Sequence, residues 1–515
     1  MDVTLRREQF TKWTRRIVRP RWLSWTAVWQ FAPAIIASII LLTLVGDTYE
    51  RAVDLNFGKF TYALDDTYIH MSMARHFAED GVWGTTRYAF TSATSSPLWT
   101  LLLAGIYFVF GVSDLTPLWL NLAAGVGLLF ASNFILRRMR VPLLFILAAL
   151  IGMIYLLPMQ TLIFSGMEHT LHALLTVIFL YLSATILSGD QRPDPQSCEL
   201  GWLWIIGALL IATRYEGAAL VALTCGLFVI RRWYAPGIIL GVVSFAPVTI
   251  YGLYAMSQGW GFLPSSIALN TETSYFMSAN AKDVVNYIKD DYLLDKLLVN
   301  DLAWTTLLSA ALLYLYRYQN VRRFWDKGLL MLLALAVNLL LQVRLVAWEG
   351  PLYRYEMYLL TIAIVALVGG IGDYLPRRFN RQSIPMYAAT AIAGVFLLTP
   401  WLDREEAINA RYPLDQSMNN IFQQQYQMAQ FLNAFYDGAP VVANDIGAIN
   451  YYADIQNIDL WGLGNWEVAG SRLHGYYTQP LLDQVTKFHG GRIALVYDSW
   501  FENLIPEDWI LAGQW

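Results

Sequence analysis

The chain has 515 residues, of which 56% are hydrophobic and only 14% charged, and its mean hydropathy is +0.41. A soluble globular protein carries about 25% charged residues, so this composition excludes a soluble enzyme and fits a polytopic membrane protein made of spans of about 20 apolar residues. A net charge of −4 without a basic block outside short loops excludes nucleic acid as a partner, and two cysteines, Cys198 and Cys225, imply neither a disulfide framework nor redox chemistry.

Residues 1–24 carry Arg6, Arg7, Lys12, Arg15, Arg16, Arg19 and Arg21 ahead of an apolar run from Trp25 to Val45. The positive-inside bias puts this basic N-terminus in the cytoplasm. The run is too long for a signal-peptide core and no small-residue cleavage site follows it, so it reads as an uncleaved first span. Further apolar runs lie at Leu115–Leu136, Val141–Leu157, Met167–Leu187, Leu200–Thr213, Gly217–Ile230, Ala235–Ala255, Asp301–Leu315, Leu329–Val346, Tyr353–Gly370 and Ile384–Leu398. Residues 25–400 thus form a membrane domain of about 11 spans. The basic clusters Arg137/Arg138/Arg140, Arg192, Arg231/Arg232, Arg317/Arg322/Arg323/Lys327 and Arg377/Arg378/Arg381 fall on every second connection, as alternation across a bilayer requires. Counting Pro97–Val112 as a full span would invert that pattern, so this segment reads as re-entrant or lying along the membrane surface.

Three regions then face outward: the loop 47–96, the loop 257–300 and the tail 401–515. The tail is expected to be a small extracytoplasmic α/β domain, with a polar helix over Met418–Tyr436 and strand-like runs at Pro440–Ala443, Asn457–Leu460 and Arg492–Tyr497. Helix and strand alternate there, which favours a mixed sheet. No internal repeat is visible.

The first outer loop holds Asp65 and Asp66, followed by Tyr68, His70 and Arg75. Ile69, Met73 and Phe77 recur at helical spacing, so an interfacial amphipathic helix begins at the acidic pair. The macrodipole favours carboxylates in a first turn. By position alone, helix cap and reactive carboxylate both remain open for the pair.

The stretch from Leu64 to Leu102, with Asp65-Asp66-Thr67-Tyr68-Ile69, Ala74-Arg75, Gly81 and Ser96-Pro97-Leu98-Trp99-Thr100-Leu101-Leu102, resembles the first outer loop of the GT-C superfamily. These are integral-membrane glycosyltransferases that use polyprenyl-phosphate sugars, and the similarity points to the branch with the mycobacterial terminal β-arabinofuranosyltransferase. Further elements recur in order: Ser165-Gly166-Met167-Glu168 with Leu171, Thr213-Arg214-Tyr215-Glu216-Gly217, Leu263-Pro264 with Asn270-Thr271, Arg354-Tyr355, and the tail run Asn444–Ile449 with Asp459-Leu460 and Gly462-Leu463. Two departures stand out. Tyr215 replaces a proline, and Asn270 is displaced from Leu263-Pro264.

The resemblance implies a GT-C fold and transfer of a sugar, with a pentose such as arabinofuranose among the options, from a polyprenyl-phosphate donor to a glycan or glycolipid acceptor. It implies Asp65 as general base, with Asp66 orienting the acceptor or holding Asp65. Adjacent carboxylates raise the pKa of one of them, which suits proton abstraction. Charge gathers on the lipid monophosphate leaving group, where a guanidinium stabilises it. The candidates are Arg354 first, then Arg214 and Arg75, with Glu168, Glu216, His70 and Tyr68 as substrate-binding residues. No cofactor is required, although His70 with Asp66, or Glu168 and His169 with His172, could hold a divalent cation. Trp461, Trp466, Tyr476, Tyr477 and Trp500 in the tail either stack on sugar rings or pack its core. The competing class is a transporter or flippase of lipid-linked sugars, but transporters hold ionisable residues near the bilayer midplane, whereas these gather at span ends on one face.

Overall fold

The structure, a computed structural model, describes residues 25–269, 301–345, 354–375 and 414–514. The run Ile384–Leu398, Asn270-Thr271 and most of the loop 257–300 lie outside them.

The first helix, α1, covers Trp25–Leu55. After it α2 (Asp65–Asp80) starts at the acidic pair and stops at Gly81, whose φ of 72° is a left-handed turn that lets its N–H reach the His76 carbonyl. Helix α3 (Pro97–Phe110) begins where the Ser96 hydroxyl accepts from the Trp99 N–H and Pro97 occupies the first turn. Its 14 residues make a rod of about 21 Å, shorter than the roughly 30 Å hydrocarbon core.

The membrane part continues with α4 (Thr116–Arg138), α5 (Leu143–Leu156), α6 (Met159–Phe164), α7 (His169–Ser188), α8 (Cys198–Thr213), α9 (Gly217–Ile230), α10 (Tyr234–Ser257), the short α11 (Ser265–Ala268), α12 (Asp301–Val321), α13 (Lys327–Leu345) and α14 (Met357–Ile371). Among the described residues four helices are long and apolar enough to cross a membrane: Trp29–Leu55, Thr116–Arg138, His169–Ser188 and Tyr234–Ser257. Helix α10 packs against α8 and α9, and α14 against α7 and α13. Their contact faces are Leu, Ile, Val, Phe and Ala, and these merge into one apolar core. The large residues on the opposite faces, such as Ile238, Val242 and Ile250 on α10, stay exposed, as expected for helices whose outer solvent is lipid.

The tail begins with α15 (Leu414–Ile421), a π turn (Phe422–Tyr426) and α16 (Gln427–Phe435) in one continuous rod. It continues through β1 (Pro440–Ala443), α17 (Ala448–Tyr452), β2 (Gln456–Asp459), α18 (Trp466–Leu473), α19 (Gln479–Phe488) and β3 (Ala494–Leu495). The sheet order is β2-β1-β3. Pro440 pairs with Gln456 and Val442 with Ala494, both parallel, which corrects the mixed sheet expected from sequence. The reason is connectivity: a helix intervenes before each new strand, and a crossover of that kind returns the chain in the same direction. Because β1 is central, the sequence order reverses there, and the carboxyl ends of β1 and β3 occupy the position where open α/β sheets ordinarily bind ligands.

Candidate active site

A cavity of about 640 Å³ lies beneath the loop after α1, between α2, α9, α10, α13 and the start of α14. One end is charged, with Asp66, His70, Arg214, Glu216 and Arg354. The flank along the helices is apolar, with Ala218, Ala219 and Ala222 from α9, Phe245 from α10 and Leu341 from α13. A few convergent polar groups on an apolar wall is the usual composition of a small-molecule site.

At the charged end Arg354 Nη1 lies 2.7 Å from Asp66 Oδ2, the arginine almost fully buried and the aspartate side chain 41% exposed. Nη1 also meets Met167 Sδ at 3.0 Å, and Nη2 meets the Tyr355 hydroxyl at 3.2 Å. The Nε–H is buried and bonds to nothing among the described residues. Arg354 therefore keeps donors free for an anion.

Arg214 is differently placed. Its Nη1 is 2.6 Å from Glu168 Oε1 and its Nη2 is 2.6 Å from Glu216 Oε1. With both of its outer nitrogens taken by carboxylates, this guanidinium is a weaker partner for a phosphate than Arg354. Glu168 is fully buried and Glu216 reaches the cavity. The segment 165–168 comes this close because Gly166, at φ 68°, sits against Thr67 and Tyr62, where any Cβ would collide. His70 is buried with Nδ1 3.0 Å from the Thr94 and Thr100 hydroxyls. Its Nε2 is 3.6 Å from Glu168 Oε2, too long for a hydrogen bond. Burial lowers its pKa despite Glu168 and Asp66, so it is neutral at pH 7.

Three of the expected site residues lie elsewhere. Asp65 does not face the cavity and does not cap its own helix, whose N-cap is Leu64 without a side-chain bond. Its carboxylate instead accepts the Gly447 N–H at 2.9 Å and the Ala448 N–H at 2.8 Å, in the tail. Burial, then Asp445, raises its pKa well above the usual carboxylate range. A helix turns about 100° per residue, so one adjacent carboxylate faces the cavity while the other faces the tail. Tyr68 is wholly buried, its hydroxyl accepting from Tyr62 N at 2.9 Å, away from the cavity. Arg75 pairs with Glu79 at 3.0 Å and donates to the Tyr451 carbonyl at 2.8 Å. It lies ten residues along α2 from the acidic pair, about 15 Å away, too far to meet the same phosphate.

The sequence reading did not single out Ala218, Ala219, Ala222, Phe245 or Leu341, since small and apolar residues in a span carry no signal beyond packing. It also passed over Asp114, which gathers Lys59 Nζ at 2.7 Å, the Tyr451 hydroxyl at 2.8 Å and the Tyr452 hydroxyl at 3.2 Å. In the tail, Asp459 is buried and accepts the Trp461 and Gly464 N–H groups. This shapes the turn that brings Leu463 over the cavity, where its carbonyl takes the Ser265 hydroxyl. Trp461 stacks under Arg472 and against Trp500, and Trp466 packs on Trp260. Among the described residues no group of three or more His, Cys, Asp or Glu side chains is gathered to hold a metal ion.

Fold and cavity together define a helical membrane protein with an amphipathic cavity roofed by a small parallel α/β unit. Residues 419–515 match a family described as a domain of unknown function, DUF8728. No curated protein matches the chain. Among solved structures it is similar to the crystal structure of ArnT from Cupriavidus metallidurans bound to undecaprenyl phosphate, with 13% identity, 90% of each chain covered and a TM-score of 0.47.

Proposed function

We propose that the chain is a GT-C type membrane glycosyltransferase that moves a sugar from a polyprenyl-phosphate donor to a hydroxyl of a cell-envelope glycan or glycolipid on the outer side of the plasma membrane. The observation that carries this reading is the Asp66–Arg354 pair, 2.7 Å apart, at the charged end of a cavity whose flank is apolar. A polyprenyl phosphate has the same division: a hydrocarbon chain suits Ala218, Ala219, Ala222 and Phe245, and its phosphate suits Arg354.

The acceptor hydroxyl approaches Asp66, whose carboxylate takes the proton as the oxygen attacks the anomeric carbon. The bond from that carbon to the phosphate oxygen breaks, configuration inverts, and the polyprenyl phosphate leaves with its growing charge on Arg354. Glu216, fixed by Arg214, is placed to accept sugar hydroxyls. The resemblance gave the base role to the first aspartate. Geometry favours the second, because Asp66 faces the cavity and both carboxylate oxygens of Asp65 are occupied by the tail. A pentose donor such as arabinofuranose rests on the resemblance alone. A guanidinium opposite a monophosphate supplies the charge this chemistry needs, so no cofactor is required, and a divalent cation is an addition to be tested.

The test is purified protein in lipid nanodiscs with radiolabelled polyprenyl-phosphate pentoses and hexoses and a panel of envelope glycans. Label appearing on a glycan, lost in Asp66→Asn, supports the reading. Passage of intact donor across a proteoliposome membrane without any transfer replaces it with the transporter reading.

A further inference from the structure

The loop that carries Asp66 is held from above. Helix α17 of the tail lies on α2, and α2 grips both of its ends. At the start the Asp65 carboxylate takes two consecutive N–H groups, Gly447 at 2.9 Å and Ala448 at 2.8 Å. At the finish Arg75 Nη1 donates to the Tyr451 carbonyl at 2.8 Å. Beside these, the Tyr451 and Tyr452 hydroxyls both reach Asp114, which also holds Lys59. Gly447 is required for the approach: a Cβ there would meet the Asp65 carbonyl and would lie 2.6 Å from its Oδ2.

The position of this contact in the tail is telling. Gly447 and Ala448 end the short turn that leaves β1 through Asn444, Asp445 and Ile446, at the carboxyl edge where the strand order reverses. An open parallel sheet ordinarily offers that edge to a ligand. Asp445, from the same turn, is engaged by Gln425 and Tyr497 behind it. The turn that leaves this edge of the sheet is thus bound by a side chain of the loop helix.

From this geometry we infer that Asp65 is a positioning residue, and that the tail segment 444–452 is the element it engages to hold α2 so that Asp66 faces Arg354. The inference rests on the glycosyltransferase reading for its kinetic consequence, though the clamp itself does not. Asp65 and Asp66 are adjacent in the first turn, so rotation of α2 that follows loss of the Asp65 bonds swings Asp66 off the cavity by the same angle. A displacement of about 1 Å at such a group costs up to about 10²-fold in rate.

Two variants break one contact from opposite sides. Asp65→Asn keeps shape but presents an amide NH2 to one of the two N–H donors, and Gly447→Ala pushes the same pair apart. Each is expected to lower kcat about 5- to 50-fold with donor KM within about 3-fold. The double variant should lose no more than the worse single one, since both remove one interaction. Hydrogen exchange at the Gly447 and Ala448 amides, measured without substrate on the full-length protein, should speed up at least about 10-fold in each. If either variant folds poorly, Arg75→Gln, which releases the Tyr451 carbonyl and an exposed pair with Glu79 within α2, should speed exchange across 448–452 and lower kcat more mildly.

The inference is overturned if Asp65→Asn abolishes transfer while exchange at 447–448 stays at the wild-type rate, for Asp65 is then the base itself. Additive losses in the double variant overturn it as well. A wild-type protein that transfers no sugar defeats the glycosyltransferase reading, while the exchange rates still decide whether the clamp exists.

Discussion

Replacing Asp66 by Asn removes one charge and one proton acceptor and leaves the shape of the cavity unchanged. No capping bond is lost, because the side chain makes none to its helix. Two effects follow, and their sizes separate them. Arg354 loses its counter-ion. Breaking a fully buried ion pair costs about 3–5 kcal/mol, but the Asp66 side chain is 41% exposed, and water screening brings the cost down to about 1–2 kcal/mol. That strain on Arg354 is relieved by an incoming phosphate, so donor binding should tighten, by at most about 30-fold at 1.36 kcal/mol per decade. The second effect is loss of the base, about 10²–10⁴-fold in the chemical step. Tighter donor binding cannot hide a loss of that size. Single-turnover transfer with donor prebound, alongside equilibrium binding of the radiolabelled donor, reads both. Asp66→Asn is expected to bind donor as well as or better than wild type and to transfer at least about 10²-fold more slowly. Transfer within about 3-fold of wild type would refute the assignment of Asp66 and the argument from the cavity with it.

The apolar flank gives a second expectation. Ala222 is exposed toward the cavity, so Ala222→Trp fills space without overpacking the core, and KM should rise about 10-fold or more for a long polyprenyl donor yet stay level for a two-isoprene analogue. Sidedness is checked by cysteine labelling: Tyr476→Cys, at a well-exposed tail position, should react with an impermeant maleimide in intact cells, whereas the exposed native Cys198 should react only after lysis. Labelling in the opposite sense would invert the topology. Burial pushes the Asp459 carboxyl up to about 6, against four backbone N–H groups that lower it. A group raised on folding contributes stability that is complete below its unfolded value near 3.9 and is lost as pH rises through about 6, here about 3 kcal/mol. Thermal melts of wild type against Asp459→Asn between pH 4 and 7, on the order of that window, should show a decline that the variant lacks; parallel curves would show that the carboxyl titrates normally.

What the sequence determined by itself was whatever depends on local composition and period. The apolar run at Gly217–Ile230 is the helix α9 to the residue, and Pro440–Ala443 is β1, because hydrophobic length and β-branched runs bounded by turn residues act over a few neighbours. The acidic pair was legible as the start of a helix and as a place where charge near a bilayer needs a reason. Which carboxylate does what was not legible, since Asp65 and Asp66 differ only in rotation about α2, and the partners that distinguish them are Gly447 and Arg354, some 380 and 290 positions away in the chain. The same holds for the three arginines. Arg75, Arg214 and Arg354 look alike as cations at span ends, and only packing surrounds one with two carboxylates, ties one to a carbonyl, and leaves one with donors to spare. Sheet direction in the tail was likewise open in the strand pattern and was decided by the crossover helices, which fix how each strand returns. Short-range preferences set the elements. Long-range packing, in which a carboxylate must find donors or a cation once it leaves water, decided the site.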